Sequence, residues 1–230
     1  MSIPTKSTGK LIVLDGSDGT GKATQTALLI KRLRNEGHRV AMMDFPQYGK
    51  PSATFIEAYL NGKFGNAEEV GPYTASLFFA LDRYAARPSL ERHLAAGRII
   101  VANRYVTANM GHQGGKIDRP RERRQFFRWL EDIEFTILGM PRPDRTIILH
   151  IPAHIAQTLV DRKKPRAYIK GKKRDLLEAD LEHLVAAEKT YLDIARTLPN
   201  TTLIECVEHQ RLLTPEEIHE KIWKHVQEIL

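Results

Sequence analysis

An apolar run, Leu11-Ile12-Val13-Leu14, passes directly into Asp15-Gly16-Ser17-Asp18-Gly19-Thr20-Gly21-Lys22-Ala23-Thr24 and from there into a helical pattern. No other stretch restricts the fold as strongly. Gly16, Gly21 and Lys22 fit G-x-x-x-x-G-K, a P-loop, whose parts each have a task when a polyphosphate is held. The glycines let successive backbone N–H groups turn inward. The helix that starts near Gly21 adds the positive end of its dipole, and Lys22 carries a mobile charge to the β- and γ-phosphates. The context agrees: a strand before, and a helix after with apolar residues at Ala27, Leu28, Ile30 and Leu33. Residues Gly16 to Thr24 are therefore the expected ATP site. One letter departs, since Ala23 stands where the pattern has Ser or Thr and removes a hydroxyl expected on Mg²⁺. Thr24 is the next residue but lies about 100° further round the helix.

The rest of the chain alternates apolar strands with amphipathic helices. Strands are expected at 39–43, 98–102, 145–150 and 201–207, in addition to the one that enters the P-loop. Helices are expected at 54–60, 121–136, 153–160, 175–198 and 214–230, the last with Pro215 in its first turn and a Thr214/Glu217 capping box. Pro72 opens a further long helix, which Arg87-Pro88 is expected to interrupt or end. Parallel strands need such crossovers, so the expected class is α/β, a five-stranded parallel sheet with helices on both faces. At 230 residues and 42% hydrophobic content, without repeats or low-complexity runs, the chain reads as a single domain spanning 1–230.

The formal net charge of +7 is concentrated in one place. Residues 162–174, RKKPRAYIKGKKR, hold eight cations and no acid, so the +7 less these eight leaves the remainder at −1. A nucleic-acid binder more often spreads its basic residues over a face or along several elements, so no nucleic-acid partner is expected. One cysteine, Cys206, excludes an intrachain disulfide and fits a reducing compartment. No run approaches the ~18 apolar residues of a membrane span, and the first ten residues lack a signal peptide's apolar core. The expectation is a soluble cytoplasmic protein with no membrane partner.

In the long helix, Leu77, Ala80, Leu81 and Tyr84 fall at i, i+3, i+4 and i+7, the spacing of a core stripe. Phe79 and Arg83 point the other way. That pairing suits a flat, hydrogen-bonding ligand, and it equally suits a helix packed on both sides, with Phe79 in the core and Arg83 as a rim charge.

Five segments in order resemble the thymidylate kinase family, and the resemblance covers nearly the whole chain. LDGSDGTGK resembles its P-loop, which implies that Asp18 approaches the deoxyribose 3′-hydroxyl of dTMP. FPQYG resembles the turn after the second strand and implies Phe45 and Tyr48 near the dTMP phosphate. LFFALDR resembles the helix whose aromatic residue stacks on thymine and whose arginine reads O4, roles that fall on Phe79 and Arg83. NRYVTANMGHQGG resembles the D-R-Y/H segment, with Arg104 at the phosphate and Asn109 and Gln113 along the base and sugar. IEFTILGMPRPD resembles the turn into the fourth strand, and the basic segment with the following Asp175 and Glu178 resembles a mobile lid.

The resemblance implies a P-loop kinase fold with a basic lid at about 162–174, acting on ATP with Mg²⁺ and on dTMP as a homodimer. Lys22, Arg104 and the lid cations Arg162, Arg166, Lys172 and Arg174 would carry the transition-state charge. Four further letters depart. Asn103 replaces an aspartate expected near Mg²⁺, Ala108 a usual serine, His112 a tyrosine that faces the sugar, and Gln47 a phosphate-facing arginine. The residues by themselves leave two other readings: a kinase of the same fold for another nucleotide or nucleoside, or a nucleotide-binding protein without turnover, which Ala23 and Asn103 would favour.

Overall fold

A computed structural model describes residues 9–161 and 181–230. Its centre is β1 (Lys10–Asp15), flanked by β3 (Ile99–Asn103) and β4 (Arg145–His150), with β2 (Val40–Asp44) and β5 (Thr201–Glu205) at the edges. All five strands run parallel, in the order β2-β3-β1-β4-β5. Along β1 the side chains alternate between two cores, as the period of two requires. Ile12 and Leu14 pack with Leu29 and Leu33 of α1 (Lys22–Asn35) and with Ile222 and Val226 of α9 (Pro215–Gln227). Leu11 and Val13 pack on the other face. They meet Leu90 of α4 (Pro72–Ala95), Met110 of α5 (Val106–Gly114), Phe126 of α6 (Pro120–Glu131) and Ile194 of α8 (Leu181–Thr197). Helices thus cover both faces, which is why the strands read as continuous apolar runs without polar alternation.

This winding matters for function because β1 lies between β3 and β4, so crossovers leave it on both sides. The ends of β1, β2 and β3 open into one crevice, the position at which open α/β sheets bind ligands. The short helix α2 (Thr54–Leu60) contributes Glu57 and Leu60 to its wall, and α3 (Ala67–Val70) packs against α4. Asn66 caps α3, accepting from the backbone of Glu68 and Glu69, and the expected Thr214/Glu217 capping box opens α9.

Several expectations need correction. Helix α4 runs unbroken for 24 residues through Pro88. Pro88 and Tyr84 are both exposed, so water can satisfy the Tyr84 carbonyl that loses its proline N–H partner. The same helix turns its expected core stripe outward: Leu77, Leu81 and Tyr84 are 39%, 54% and 46% exposed, while Ala80 alone of the four is buried. In α1, Ala27 is exposed and Leu29 takes the core position. The segment after α6 is a π-helical turn at Asp132–Ile137, where an α-helix was expected to continue to 136. β5 stops at Glu205, and Val207–Glu208 pairs antiparallel with Arg211–Leu212 as a small hairpin, β6 and β7. The basic segment, with Arg162, Arg166, Lys172, Arg174, Asp175 and Glu178, lies outside the described residues, as does the start of the helix expected from 175. α7 (Ala153–Asp161) leads into it and α8 follows it.

Candidate active site

The P-loop forms the base of the crevice. Gly16 takes φ 134 and Gly19 φ 87, and a Cβ on either would overlap a backbone carbonyl, that of Leu149 or of Ala156. Only glycine passes there. Gly21, at φ 84, opens α1 without a side-chain cap, so the first N–H groups of the helix are left for a ligand. Lys22 is buried and donates from Nζ to the carbonyls of Gly16 (3.0 Å) and Ser17 (2.7 Å), while Thr20 Oγ1 donates to Ser17 O at 2.9 Å. Ala23 and Thr24 are exposed on the first turn and line the cavity.

Beneath the loop, Asp15 is fully buried and accepts three hydrogen bonds: from Gly16 N (2.9 Å), Thr107 Oγ1 (2.6 Å) and Tyr191 OH (2.9 Å). A carboxylate with three donors is held in one orientation, and it holds the first P-loop amide in turn. Tyr191 is pushed well above its ordinary range, by burial first and then by Asp15, and so stays a neutral donor.

Arg104 follows β3 in the left-handed region, at φ 65. A non-glycine residue there is strained by about 1–3 kcal/mol, a conformation that functional sites tend to retain. Its Nη2 pairs with Asp18 Oδ1, its Nη1 lies 2.9 Å from His112 Nε2, and its backbone N–H donates to Leu14 O at 2.9 Å. His112 is held well below the usual histidine range, by burial first and then by the Arg104 charge, which leaves a neutral ring beside the guanidinium.

These groups share one cavity of about 960 Å³. Asp18, Gly19, Gly21, Lys22 and Arg104 line it. Phe45, Pro46, Tyr48, Phe79, Arg83, Ala108, Asn109, His112 and Gln113 line it as well. The Phe45–Pro46 peptide is cis. Phe79 is half-buried and meets Tyr59 edge-on at 6.4 Å. Asn109 donates to Ser76 O at 3.0 Å. Gln113 is fully buried, and both heads of its carboxamide lack a hydrogen-bond partner among the described residues. A buried carboxamide in a cavity wall costs free energy unless a ligand completes it.

The periodicity of α4 left two readings of Phe79 and Arg83, and each holds part of the answer. Both face the cavity, yet Arg83 is only 2% exposed and bound to Glu134 of the π-turn. Its Nε donates to both Glu134 oxygens (2.9 and 3.1 Å), Nη2 pairs with Oε1, and Nη1 donates to Tyr105 O at 3.3 Å. Gln47 does not line the cavity: its Nε2 donates to Asp82 O at 2.9 Å and its backbone N–H to Asp82 Oδ2 at 2.9 Å. With Ser52 Oγ donating to Oδ1 at 2.6 Å, Asp82 fixes the 45–49 turn.

Asn103 donates from Nδ2 to Asp44 Oδ1 at 2.9 Å, and its own Oδ1 is buried without a hydrogen-bond partner among the described residues. Partial desolvation raises the Asp44 carboxyl above its ordinary range although the residue as a whole is exposed, and the Asn103 hydrogen bond and the charges of Arg104 and Lys22 oppose it. Among the described residues, no group of three or more His, Cys, Asp or Glu side chains could cage a metal. The orphaned Asn103 oxygen at the cavity wall fits Mg²⁺ that arrives with ATP, because such an ion keeps most of its ligands as phosphate and water.

The profile of the family described as "Thymidylate kinase" matches residues 14–222. The chain belongs to the thymidylate kinase family. It is 30% identical over 187 residues to the thymidylate kinase of Mycobacterium tuberculosis, covering 80% of this chain and 85% of that one. To the human thymidylate kinase it is 27% identical over 143 residues, 62% of this chain and 61% of the relative. The solved structure of the Candida albicans thymidylate kinase superposes with a TM-score of 0.75 at 20% identity, covering 97% of this chain and 93% of that one, and so shares the fold. Four of the five family segments line the crevice, and the fifth, residues 133–144, reaches it through Glu134, which holds Arg83. Sequence reasoning missed Asp15, Asp82, Glu134, Thr107 and Tyr191, whose roles depend on contacts between distant parts of the chain.

Proposed function

We infer that the chain transfers the γ-phosphoryl of ATP to dTMP, giving dTDP and ADP. One observation carries this reading: a single cavity is lined by the P-loop cation Lys22 and by Arg104 together with the aromatic ring of Phe79 and the unsatisfied carboxamide of Gln113. Cations for phosphate and an aromatic face with hydrogen-bonding groups for a base are what a nucleoside monophosphate needs from one cavity.

The nucleophile is a phosphate oxygen of dTMP. A phosphate monoester has its second pKa near ~6, so at neutral pH it is already dianionic and no general base is required. What the protein must supply is alignment and charge. Gly16 to Thr24 wrap the ATP phosphates, and Lys22 leaves its loop carbonyls for the β/γ oxygens. Arg104 and Asp18 hold the acceptor phosphate and the 3′-hydroxyl, with Phe45 and Tyr48 beside them. Phe79 stacks on the base, and Arg83, Asn109, Gln113 and His112 border the base and sugar. Arg162, Arg166, Lys172 and Arg174, the cations of the basic segment, are the further candidates for supplying charge to the phosphates. Asn103 would face Mg²⁺ bound with ATP, which would supply charge neutralisation at the β/γ-phosphates.

The chain acts as a single domain over 1–230, in the cytoplasm. Its one cysteine, Cys206, is buried and free, which suits a reducing compartment, and no described helix is long and apolar enough to cross a membrane. It works as a homodimer through the outward stripe Leu77, Leu81 and Tyr84, since contiguous exposed apolar residues on one helix face mark interfaces.

A panel of nucleoside monophosphates with ATP and Mg²⁺ tests the reading. dTMP should be the best acceptor, and dUMP weaker by ~1–3 kcal/mol in kcat/KM for want of one methyl group. Equal or greater activity with CMP, AMP or GMP would overturn it.

A further inference from the structure

We propose that the carboxylate of the Mg²⁺·ATP site has been moved from β3 to β2, and that Asp44 carries it in place of the acid that Asn103 lacks. The inference rests on the kinase reading above. β2 and β3 are parallel and in register, with Asp44 directly opposite Asn103. Neighbouring strands lie about 4.8 Å apart, so an acid moved across this pair stays at the same sheet edge and faces the same crevice. Asp44, Asn103, Lys22 and Arg104 all line the cavity.

The polarity of the pair is informative. An aspartate at 103 would set two carboxylates against each other, whereas asparagine donates Nδ2 to Asp44 Oδ1 at 2.9 Å and fixes that carboxylate in place. Its own Oδ1, buried and without a partner among the described residues, is left as a neutral acceptor beside the acid. Asp44 is itself exposed, and besides the Asn103 amide its carboxylate also accepts from the backbone N–H of Phe45, so two donors orient it. An accessible carboxylate oriented by a neighbouring amide is what a hard cation prefers as its one protein anion, the remaining ligands being phosphate oxygens and water. Asp44 is therefore the metal-holding residue, and Asn103 the positioning residue that aims it and offers Oδ1 to a water of the ion. The plain alternative is a solvated strand-end aspartate that only balances Lys22 and Arg104.

Mn²⁺ binding separates the two. Full-length protein is saturated with a non-hydrolysable ATP analogue and titrated with Mn²⁺, the bound ion being read from loss of the free-ion electron paramagnetic resonance signal. Four chains are compared: wild type, Asp44→Asn, Asn103→Asp, and the exchange Asp44→Asn/Asn103→Asp. Asp44→Asn should weaken Mn²⁺ binding by about tenfold or more, the range seen when metal-site shells are altered. Without metal, the analogue should bind it as tightly as wild type or more tightly. The exchange should recover most of the lost metal affinity, because it restores one acid and one amide facing each other. Asn103→Asp alone should bind Mn²⁺ more tightly than wild type. Asp and Asn are isosteric and Asp44 is exposed, and thermal midpoints confirm that each chain is folded. Unchanged Mn²⁺ affinity in Asp44→Asn, or an exchange variant as weak as that single one, would overturn the relocation. dTDP formation by the wild-type preparation is measured in parallel. If it failed while Mn²⁺ binding still depended on Asp44, the substrate reading would fall and the metal site would stand.

Discussion

Tyr191, well inside α8, donates its hydroxyl to Oδ1 of Asp15 at 2.9 Å and so ties the helix that follows the basic segment to the strand that enters the P-loop. The approach is possible because α5 presents Gly111 to the ring: a Cβ at that position would overlap the Tyr191 side chain. Two residues distant in sequence thus set the orientation of the Gly16 amide through one buried carboxylate.

Tyr191→Phe should therefore lower stability by about 1.5–3 kcal/mol, the range for a hydrogen bond to a charged group, measured by urea unfolding. ATP affinity should fall with it. Gly111→Ala should lower stability by a similar ~1–3 kcal/mol, because the added methyl forces α5 and α8 apart. A Gly111→Ala protein with wild-type stability and ATP affinity would show that the contact between α5 and α8 does not position the loop.

Acidification should act through His112. Its ring is held below its ordinary value, by burial and then by Arg104, so the folded protein binds the proton less readily than the unfolded chain. The stability this contributes is complete above the unfolded value of ~6.5 and is lost as pH falls below it, by at most about 1.4 kcal/mol per pH unit for one proton. His150 opposes the trend. Burial pulls its ring down, but hydrogen bonds to Glu205 and Glu188 outweigh burial and raise it, so its contribution is present at low pH and lost as pH rises. The stability difference between wild type and His112→Gln, measured by urea unfolding from about pH 7.5 to about pH 5.5, should therefore shift against wild type on acidification. A difference independent of pH would mean that His112 titrates normally.

Local signals were legible and long-range ones were not. The P-loop could be read because its glycines, lysine and flanking elements are contiguous, and the crevice because parallel strands bring their C-terminal ends to one edge. Periodicity assigned Leu77 and Leu81 to one face of α4 and Phe79 and Arg83 to another, but it does not say which face meets the sheet. The apolar face proved to be the outer one. Glu134 and Asp82 carry no local signal, since nothing near them in sequence announces a buried arginine or the 45–49 turn as their partner. Pro88 misled because a proline on the solvent side of a helix loses only a hydrogen bond that water replaces.

If that outer face joins two copies of the chain, Leu81→Lys should convert the dimer to a monomer in sedimentation experiments. Leu81 is 54% exposed, so the folding stability of the subunit should change by no more than about 0.5 kcal/mol. A wild-type chain that sediments as a monomer at all concentrations would contradict the dimer.

Base choice is the hardest role to separate from structure, because Arg83 performs both. Nε is shared between the Glu134 oxygens, Nη2 gives one hydrogen to Oε1, and Nη1 gives one to Tyr105 O. A guanidinium has five N–H donors, so one remains on each terminal nitrogen, and Arg83 lines the cavity. Thymine offers an acceptor at O4 where cytosine offers an amino donor, so a cytosine ring would set donor against donor. Arg83→Ala should cut kcat/KM for dTMP by about 1.5–3 kcal/mol and narrow the gap between dTMP and dCMP. It should also destabilise the fold by about 3–5 kcal/mol, because the Glu134 carboxylate is left buried without its cation. A second variant separates the two effects. Arg83→Met with Glu134→Leu removes both charges and fills the space with apolar atoms, a replacement that is often neutral or stabilising for a buried ion pair. Stability should return toward wild type while discrimination stays lost. Should the doubly apolar protein still prefer dTMP over dCMP as strongly as wild type, Arg83 would serve the fold alone, and the unsatisfied carboxamide of Gln113 would be the next candidate for reading the base.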